Sequence, residues 1–365
     1  MYGDGMDTST DISMNHVHEM CGALHLHTNF SDGSVDCPEL IATAKEVKLD
    51  FIVVTDHLSL KARESGFEGF SGDLFILVGY EHNDSNNLNH YLALGTSKVI
   101  RVHDKPQKYI DEIKKEHGIG FLAHPNEKRH YFKDYPAYPW KDWNIQGFDG
   151  IEVWNQMSDW LENLKSWANF FRLFYPRRFL AGIESDLLSR WDECNRLRYV
   201  SGIGGVDAHT MKTKIGPFHL TIFPIKVELQ GIRTHLYFTS PLPKSDPDEA
   251  KALFLNALKN GNGFIANFRR GDAKGSRIYL TYSNGIFSFP GPGDPRGALP
   301  ATLHIELAEE ARIHLIKNGA IVQKTFGKNS SFDITGKGLY RVEAFKAKNA
   351  WIYSNPFPVG TYPLW

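Results

Sequence analysis

The feature that most limits how this chain can fold is a repeated pattern of short apolar runs, most of which close on a histidine or a carboxylate. The runs are ALHLH (23–27), FIVVT (51–55), LFILVGY (74–80), IGFLA (119–123), FDGIEVW (148–154), FLAGI (179–183) and SGIGGV (201–206). Their length and their Val, Ile, Leu and Phe content predict strands buried on both faces. Helical stretches separate several of them. Residues 37–47 carry apolar positions at helical spacing with Pro38 in the first turn, and 106–118 closes on Gly118, a predicted C-cap. Such alternation predicts a parallel α/β sheet or barrel, with HYLALG (90–95) as a short additional edge strand.

The pattern changes after about residue 210. Residues 246–260 read as a single helix, capped by Ser245 or Asp246 and ended by Gly261. Beyond Arg277 helical periods give way to alternating apolar and polar residues, with hairpin signals at Asn284-Gly285 and Asn318-Gly319. With 365 residues, the length allows roughly two and a half domains. The expected division is a frayed N-terminus over 1–20, an α/β unit over 21–270 and a small antiparallel β-sandwich of immunoglobulin-like type over 275–365. The polar, Gly-rich FRRGDAKGS at 268–276 marks the boundary.

Charge narrows the partners. Lys and Arg total 41 against 42 Asp and Glu, so the formal net charge is −1 and duplex nucleic acid is disfavoured. No apolar run approaches the length of a membrane span, so no membrane partner is expected. The first twenty residues lack a basic, then apolar, signal pattern, which predicts a cytoplasmic protein, or a periplasmic or secreted one if a signal precedes this sequence. Cys21, Cys37 and Cys194 do not suggest a disulfide framework.

The chemistry concentrates at the ends of the apolar runs. His25 and His27 share one face of a strand, and Asp32 follows on the next loop. His57 ends the second run, Glu81 the third and His124 the fourth; Glu152 lies near the end of the fifth, and Asp207 and His209 follow the last. In parallel α/β architectures these strand ends form one face, where active sites are built. Thirteen of the 16 histidines fall at or before His219. Imidazoles and carboxylates converging on one rim would repel or titrate poorly without cations, and together they are ligands for Zn²⁺, Mn²⁺ and Fe²⁺.

In order and spacing, H-x-H-T-x-x-S-D-G at 25–33, T-D-H at 55–57, G-x-E at 79–81, A-H-P at 123–125 and D-A-H at 207–209 resemble the polymerase and histidinol phosphatase (PHP) superfamily over roughly 22–215. The resemblance implies a distorted seven-stranded β/α, TIM-like barrel with two or three divalent metal ions. It implies that His25, His27, Glu81 and Asp207 hold the first ion, that Glu81 bridges to a second held also by His124, and that Asp32, His57 and His209 hold a third. Where the family often supplies a further ligand this chain has Glu152, the best candidate there. GIEVWN and GGVDAHT, with a β-domain behind the barrel, look most like the branch of carbamate and ester hydrolases (the CehA/McbA type).

Several neighbours are candidates for lesser roles. Asp56 is expected to orient a ligand, and His82 to be structural. His90, Lys128 and Arg129 are the substrate-binding candidates, the last two as a clamp for a phosphoryl oxygen. Tyr131, Phe132, Tyr135, Tyr138, Trp140 and Trp143 could wall a pocket, and His16 reads as a solvent residue. The expected activity is metal-dependent hydrolysis of a small-molecule phosphate ester by a metal-bridging hydroxide, with Glu81, Asp207 and His209 as the catalytic candidates. The alternatives are hydrolysis of a carboxylic ester, amide or carbamate at the same site, and a non-catalytic binding module.

Overall fold

A computed structural model describes residues 17–129, 136–162, 180–215, 218–293, 297–362 and 364. His16, Tyr131, Phe132, Tyr135 and Phe179 lie outside these residues. The first half of the chain sets the frame. Strands β1 (His18–Leu26), β2 (Phe51–Val54), β3 (Gly69–Ser71), β4 (Leu74–Val78), β5 (Tyr80–His82), β6 (Tyr91–Leu94), β7 (Ile119–Leu122), β8 (Gly150–Asn155) and β9 (Ser201–Ala208) alternate with helices α1 (Cys37–Glu46), α2 (Lys61–Glu64), α3 (Pro106–Lys115), α4 (Gln156–Glu162) and α5 (Ser185–Leu197). The predicted helix at 37–47 forms because Asp36 caps it, its side chain accepting from the Glu39 N–H, while Leu40 and Ala44 turn into the core. After α3 the chain turns left-handed at His117 rather than at the predicted Gly118, whose N–H instead donates to the Ile113 carbonyl.

Strand β1 is the hub. It pairs in parallel with β2 on one side, and on the other divides its edge between two strands. Leu24 and Leu26 face β9 in parallel, whereas His18–Gly22 face β12 (Ile232–Phe238) antiparallel. Parallel pairs link β2 to β4, β7 to β8 and β8 to β9. Strand β6 is antiparallel to both β5 and β7, so it is a buried inner strand and not the expected edge. Residues 180–183 of the expected FLAGI strand are irregular, and β1 begins at His18, inside the stretch expected to be frayed.

The remaining elements are a β10 (Met211–Ile215) and β11 (Phe218–Ile222) ribbon, α6 (Ile225–Glu228), α7 (Pro247–Asn260), β13 (Gly263–Asn267), β14 (Arg277–Tyr282), β15 (Phe287–Ser288), β16 (Ala301–Lys317), β17 (Ala320–Ile334), β18 (Gly338–Lys346), β19 (Asn349–Ser354) and β20 (Phe357–Val359). Helix α7 matches its sequence signals: Asp246 caps it and Gly261 ends it at φ 59°. Both Asn-Gly hairpins form, joining β14 to β15 and β16 to β17.

The expected barrel with a separate sandwich resolves into a mixed α/β fold dominated by one large sheet. The divided edge of β1 is the physical reason. From β12 the hydrogen bonding continues through β13 to β19, where Phe264–Ala266 face Ile352–Ser354, and from β19 to β18. Pairing therefore crosses the polar 268–276 segment. Ala350 and Tyr353 pack into the same apolar cluster as α1, α3 and α5, while a second cluster lies among β14, β16 and β18.

Candidate metal centre

Three strand-end residues that face the centre adopt left-handed backbone: His25 (φ 62°), His124 (φ 28°) and Asp207 (φ 56°). Such conformations are costly for non-glycine residues and cluster at functional sites. At His25 the register of β1 shifts against both β2 and β9, a bulge that re-aims the side chain.

Glu81 lies at the middle. Its Oε2 is 3.0 Å from His25 Nε2, 3.2 Å from His27 Nε2 and 3.6 Å from His57 Nδ1. Its Oε1 accepts from His90 Nδ1 at 2.7 Å and His124 Nε2 at 3.0 Å. Asp207 Oδ1 stands 3.6 Å from His25 Nε2, 3.5 Å from His27 Nε2 and 3.1 Å from His209 Nδ1. Asp32 draws in the outer members, with His57 Nε2 at 3.4 Å and His209 Nε2 at 3.2 Å from Oδ2, and His27 Nδ1 at 3.5 Å from Oδ1. The donors form four overlapping groups: His27, Asp32, His57 and His209; His25, His27 and Glu81; His25, His124 and Asp207; and His57, Glu81 and His90. Within each, the ligand atoms lie within 4.8 Å of one another.

The electrostatics are those of a tightly packed acid–base cluster. Burial disfavours charge on His25, but Glu152, Asp207 and Glu81 outweigh it and hold its pKa well above the ordinary histidine value. Burial also opposes the raised pKa of His124, which Glu127 and Glu81 push up to about 9. Glu81 and Asp207 are held well below the carboxylate range: burial opposes this, and the surrounding histidines outweigh burial.

Divalent cations fit these residues. Both ring nitrogens of buried His27, together with His90 Nε2 and His124 Nδ1, lack a hydrogen-bond partner, and buried polar atoms ordinarily have one. Neutral imidazoles facing carboxylate oxygens form the donor set of Zn²⁺, Mn²⁺ or Fe²⁺.

Most of the predicted site residues come together, and two groups are placed differently. Glu152 belongs to none of the four groups; it stands behind them, accepting from His25 Nδ1 at 2.8 Å and from the His124 backbone N–H at 2.7 Å. Lys128 reaches Glu184 at 2.7 Å and Asp186 at 2.6 Å, and Arg129 pairs with Glu127 and donates to the Pro136 carbonyl. Their charges are thus matched by carboxylates of the chain. Asp56 accepts from the Thr28 N–H and Oγ1 and from Ser31 Oγ, each at 2.7 Å, fixing the loop that carries Asp32. His82 faces away and donates to the Ile100 carbonyl at 3.1 Å.

His90, expected on this rim as a substrate-binding residue, also belongs to a donor group, with His57 and Glu81. It immediately precedes β6, and because β6 runs antiparallel, its first end lies on the rim where the parallel strands finish. Tyr138 stacks on its ring at 4.9 Å, while Trp140 is core and Trp143 lies under Arg190. A cleft of about 510 Å³, lined in part by His124, Glu152, Asn155, Asp159 and Lys128, opens beside the cluster.

Residues 23–152 match the model of the PHP domain. No curated protein matches the chain. Among solved structures, it resembles a two-domain protein from Bacteroides vulgatus that contains a predicted PHP-like metal-dependent phosphoesterase, at 15% identity over 94% of this chain and 96% of that one, with a TM-score of 0.44. It also resembles PsfC from Pseudomonas syringae, at 14% identity over 66% of this chain and 89% of that one, with a TM-score of 0.39.

Proposed function

We propose that this chain is a metal-dependent hydrolase, a phosphoesterase of the PHP type, working with two or three divalent ions drawn from Zn, Mn and Fe. The observation that carries this reading is Glu81: five imidazoles lie within 3.6 Å of its two oxygens, divided between them as a bridging carboxylate requires. The PHP-domain match over 23–152 supports it.

In this reading His25, His27, Glu81 and Asp207 would hold one ion, Glu81 and His124 would share in a second, and Asp32, His57 and His209 would hold a third, with His90 facing Glu81. Bound ions would supply Lewis acidity and lower the pKa of water. The chain's own residues hold the charges in place. Glu81 and Asp207 stay ionised at neutral pH and offset cationic charge, while the bulged backbone at His25 and the Asp56-braced loop fix where the imidazoles and Asp32 point. The cleft beside His124 is the place for the organic part of a substrate.

The test pairs elemental analysis of the metal-replete protein with a panel of nitrophenyl phosphates and nitrophenyl acyl esters. At least about two transition-metal ions per chain and turnover of the phosphates are expected. Less than one ion per chain would end the multinuclear reading.

A carboxylic ester, amide or carbamate is the second reading of the electrophile. It is favoured by the pairing of Lys128 and Arg129 with carboxylates, which leaves those cations engaged within the chain. The carbamate and ester hydrolase branch suggested by GIEVWN and GGVDAHT points the same way. Turnover of acyl esters without phosphates would select it.

A further inference from the structure

Strand β8 contributes no atom to the four donor groups, yet two of its side chains hydrogen-bond to residues in them from three other parts of the chain. Glu152 and Asn155 are three residues apart, which in a regular strand would put them on opposite faces. The register of β8 against β9 shifts between Glu152 and Trp154, and this irregularity brings both side chains to one side.

There they form a closed hydrogen-bond set. Glu152 Oε1 accepts from His25 Nδ1 at 2.8 Å; Oε2 accepts from the His124 backbone N–H at 2.7 Å and from Asn155 Nδ2 at 2.9 Å. Asn155 Nδ2 also donates to Asp207 Oδ2 at 3.2 Å, and Asn155 Oδ1 accepts from the Ser158 N–H at 2.8 Å. Each of these contacts falls on the atom that the centre does not need. Holding the proton of His25 on Nδ1 leaves Nε2 free to face Glu81 and Asp207. Occupying Oδ2 of Asp207 leaves Oδ1 facing His25, His27 and His209. The bond to the His124 peptide grips one left-handed residue, and the bond to the His25 ring grips another. Gly205 on β9 makes room, since a methyl group there would collide with Glu152 Oε1 and press on His25 Cβ at 3.0 Å.

We infer that Glu152 and Asn155 are positioning residues that set the tautomer of His25 and the free oxygen of Asp207 for ion binding, without ligating the ions themselves. This rests on the metal reading above. Carboxylates placed behind ligating histidines raise metal affinity about 10- to 100-fold.

The experiment is calorimetric titration of the metal-stripped, full-length chain with Mn²⁺ and, separately, Zn²⁺. The unmodified protein is compared with Glu152→Gln, Asn155→Ala and, as a reference for direct ligation, Glu81→Gln, with fold checked by far-ultraviolet circular dichroism. Glu152→Gln and Asn155→Ala should reach the unmodified stoichiometry at saturating metal, with affinity weakened about 10- to 100-fold in at least one site. If Glu152→Gln loses its fold, Asn155→Ala carries the same test through Asp207. Unchanged affinity would overturn the inference, and so would an ion lost at saturation, which would make Glu152 a ligand. Failure of the unmodified chain to bind either metal would overturn it together with the reading beneath it.

Discussion

His82 and His124 are both buried imidazoles, yet their surroundings drive them in opposite directions. Burial pushes His82 down to about 4, its carbonyl partners offsetting only part of the effect. The unfolded chain therefore binds a proton that the folded chain refuses between about pH 6.5 and 4. Stability should fall on acidification through that window, by on the order of 2–3 kcal/mol from this residue. Thermal melts of the unmodified protein and His82→Gln across pH 4–7 would reveal the difference, and parallel curves would refute it. His124 has the reverse sign. With its pKa at about 9, its stabilising contribution to the metal-free protein is complete below about pH 6.5 and is lost as pH rises through 9. Ions displace the same protons, so metal affinity should climb over the interval in which the metal-free protein weakens. Titrations in buffers of different ionisation enthalpy should register proton release at neutral pH. Glu81→Gln removes the charge shared by the groups on both of its oxygens. We expect activity to fall by orders of magnitude and at least two ions to bind more weakly, whereas loss confined to one ion would show that Glu81 does not bridge.

At the scale of elements, the structure separates what local chemistry specifies from what only the assembled sheet decides. Asp246 caps α7 as its sequence indicates; Asp246→Ala should cost about 1 kcal/mol in denaturant unfolding without altering metal content. Gly205→Ala on β9 should cost about 1–3 kcal/mol by overpacking and also weaken metal binding, because the displaced atoms belong to Glu152 and His25. Cap, Pro and Asn-Gly signals act within a few residues, so α1, α7 and both hairpins were legible in advance. The convergence of His25, His27, Asp32, His57, Glu81, His124, Asp207 and His209 was legible too, because all eight end or follow just five apolar runs. The direction of β6 was not. HYLALG reads the same whichever way it runs, and only pairing with β5 and β7 turns His90 toward Glu81. Glu152 was read as a ligand from its position in the motif order alone, which does not show that its oxygens are taken up by His25 Nδ1 and the His124 N–H.

On the whole-molecule scale, every donor precedes Thr210, which by sequence alone suggests that a chain stopped near Arg270 would keep the centre. The structure changes that expectation. Asn355 donates to the Gly202 carbonyl and accepts from its N–H, tying the chain beyond β19 to the strand that delivers Asp207. Arg341 on β18 pairs with Asp192 of α5 at 3.1 Å, and β19 covers the edge of β13. A chain ending at Arg270 would expose that edge and the apolar surface under Ala350 and Tyr353. We expect it to associate on size-exclusion chromatography and to bind metal more weakly; a monomeric truncation with full metal content would show that the two parts are independent. Alternating polarity foretold the strands beyond Arg277, but not their partner, because a strand's sequence does not state which edge it will meet. Among the described residues, no helix is long and apolar enough to cross a membrane.

The donor groups differ in their distance from solvent. His25 and Glu81 are buried and His124 borders the cleft, whereas the side chains of His57 and His209 are 29% and 26% exposed and that of Asp32 is 53% exposed. Ions held there would leave and return at different speeds. A chelator would strip the outer position first, and the inner ones only as fast as β1 and its neighbours part. Exchange against an isotopically labelled metal should therefore be biphasic, with a fast phase set by side-chain motion at Asp32 and a slow phase that tracks the opening of the protein.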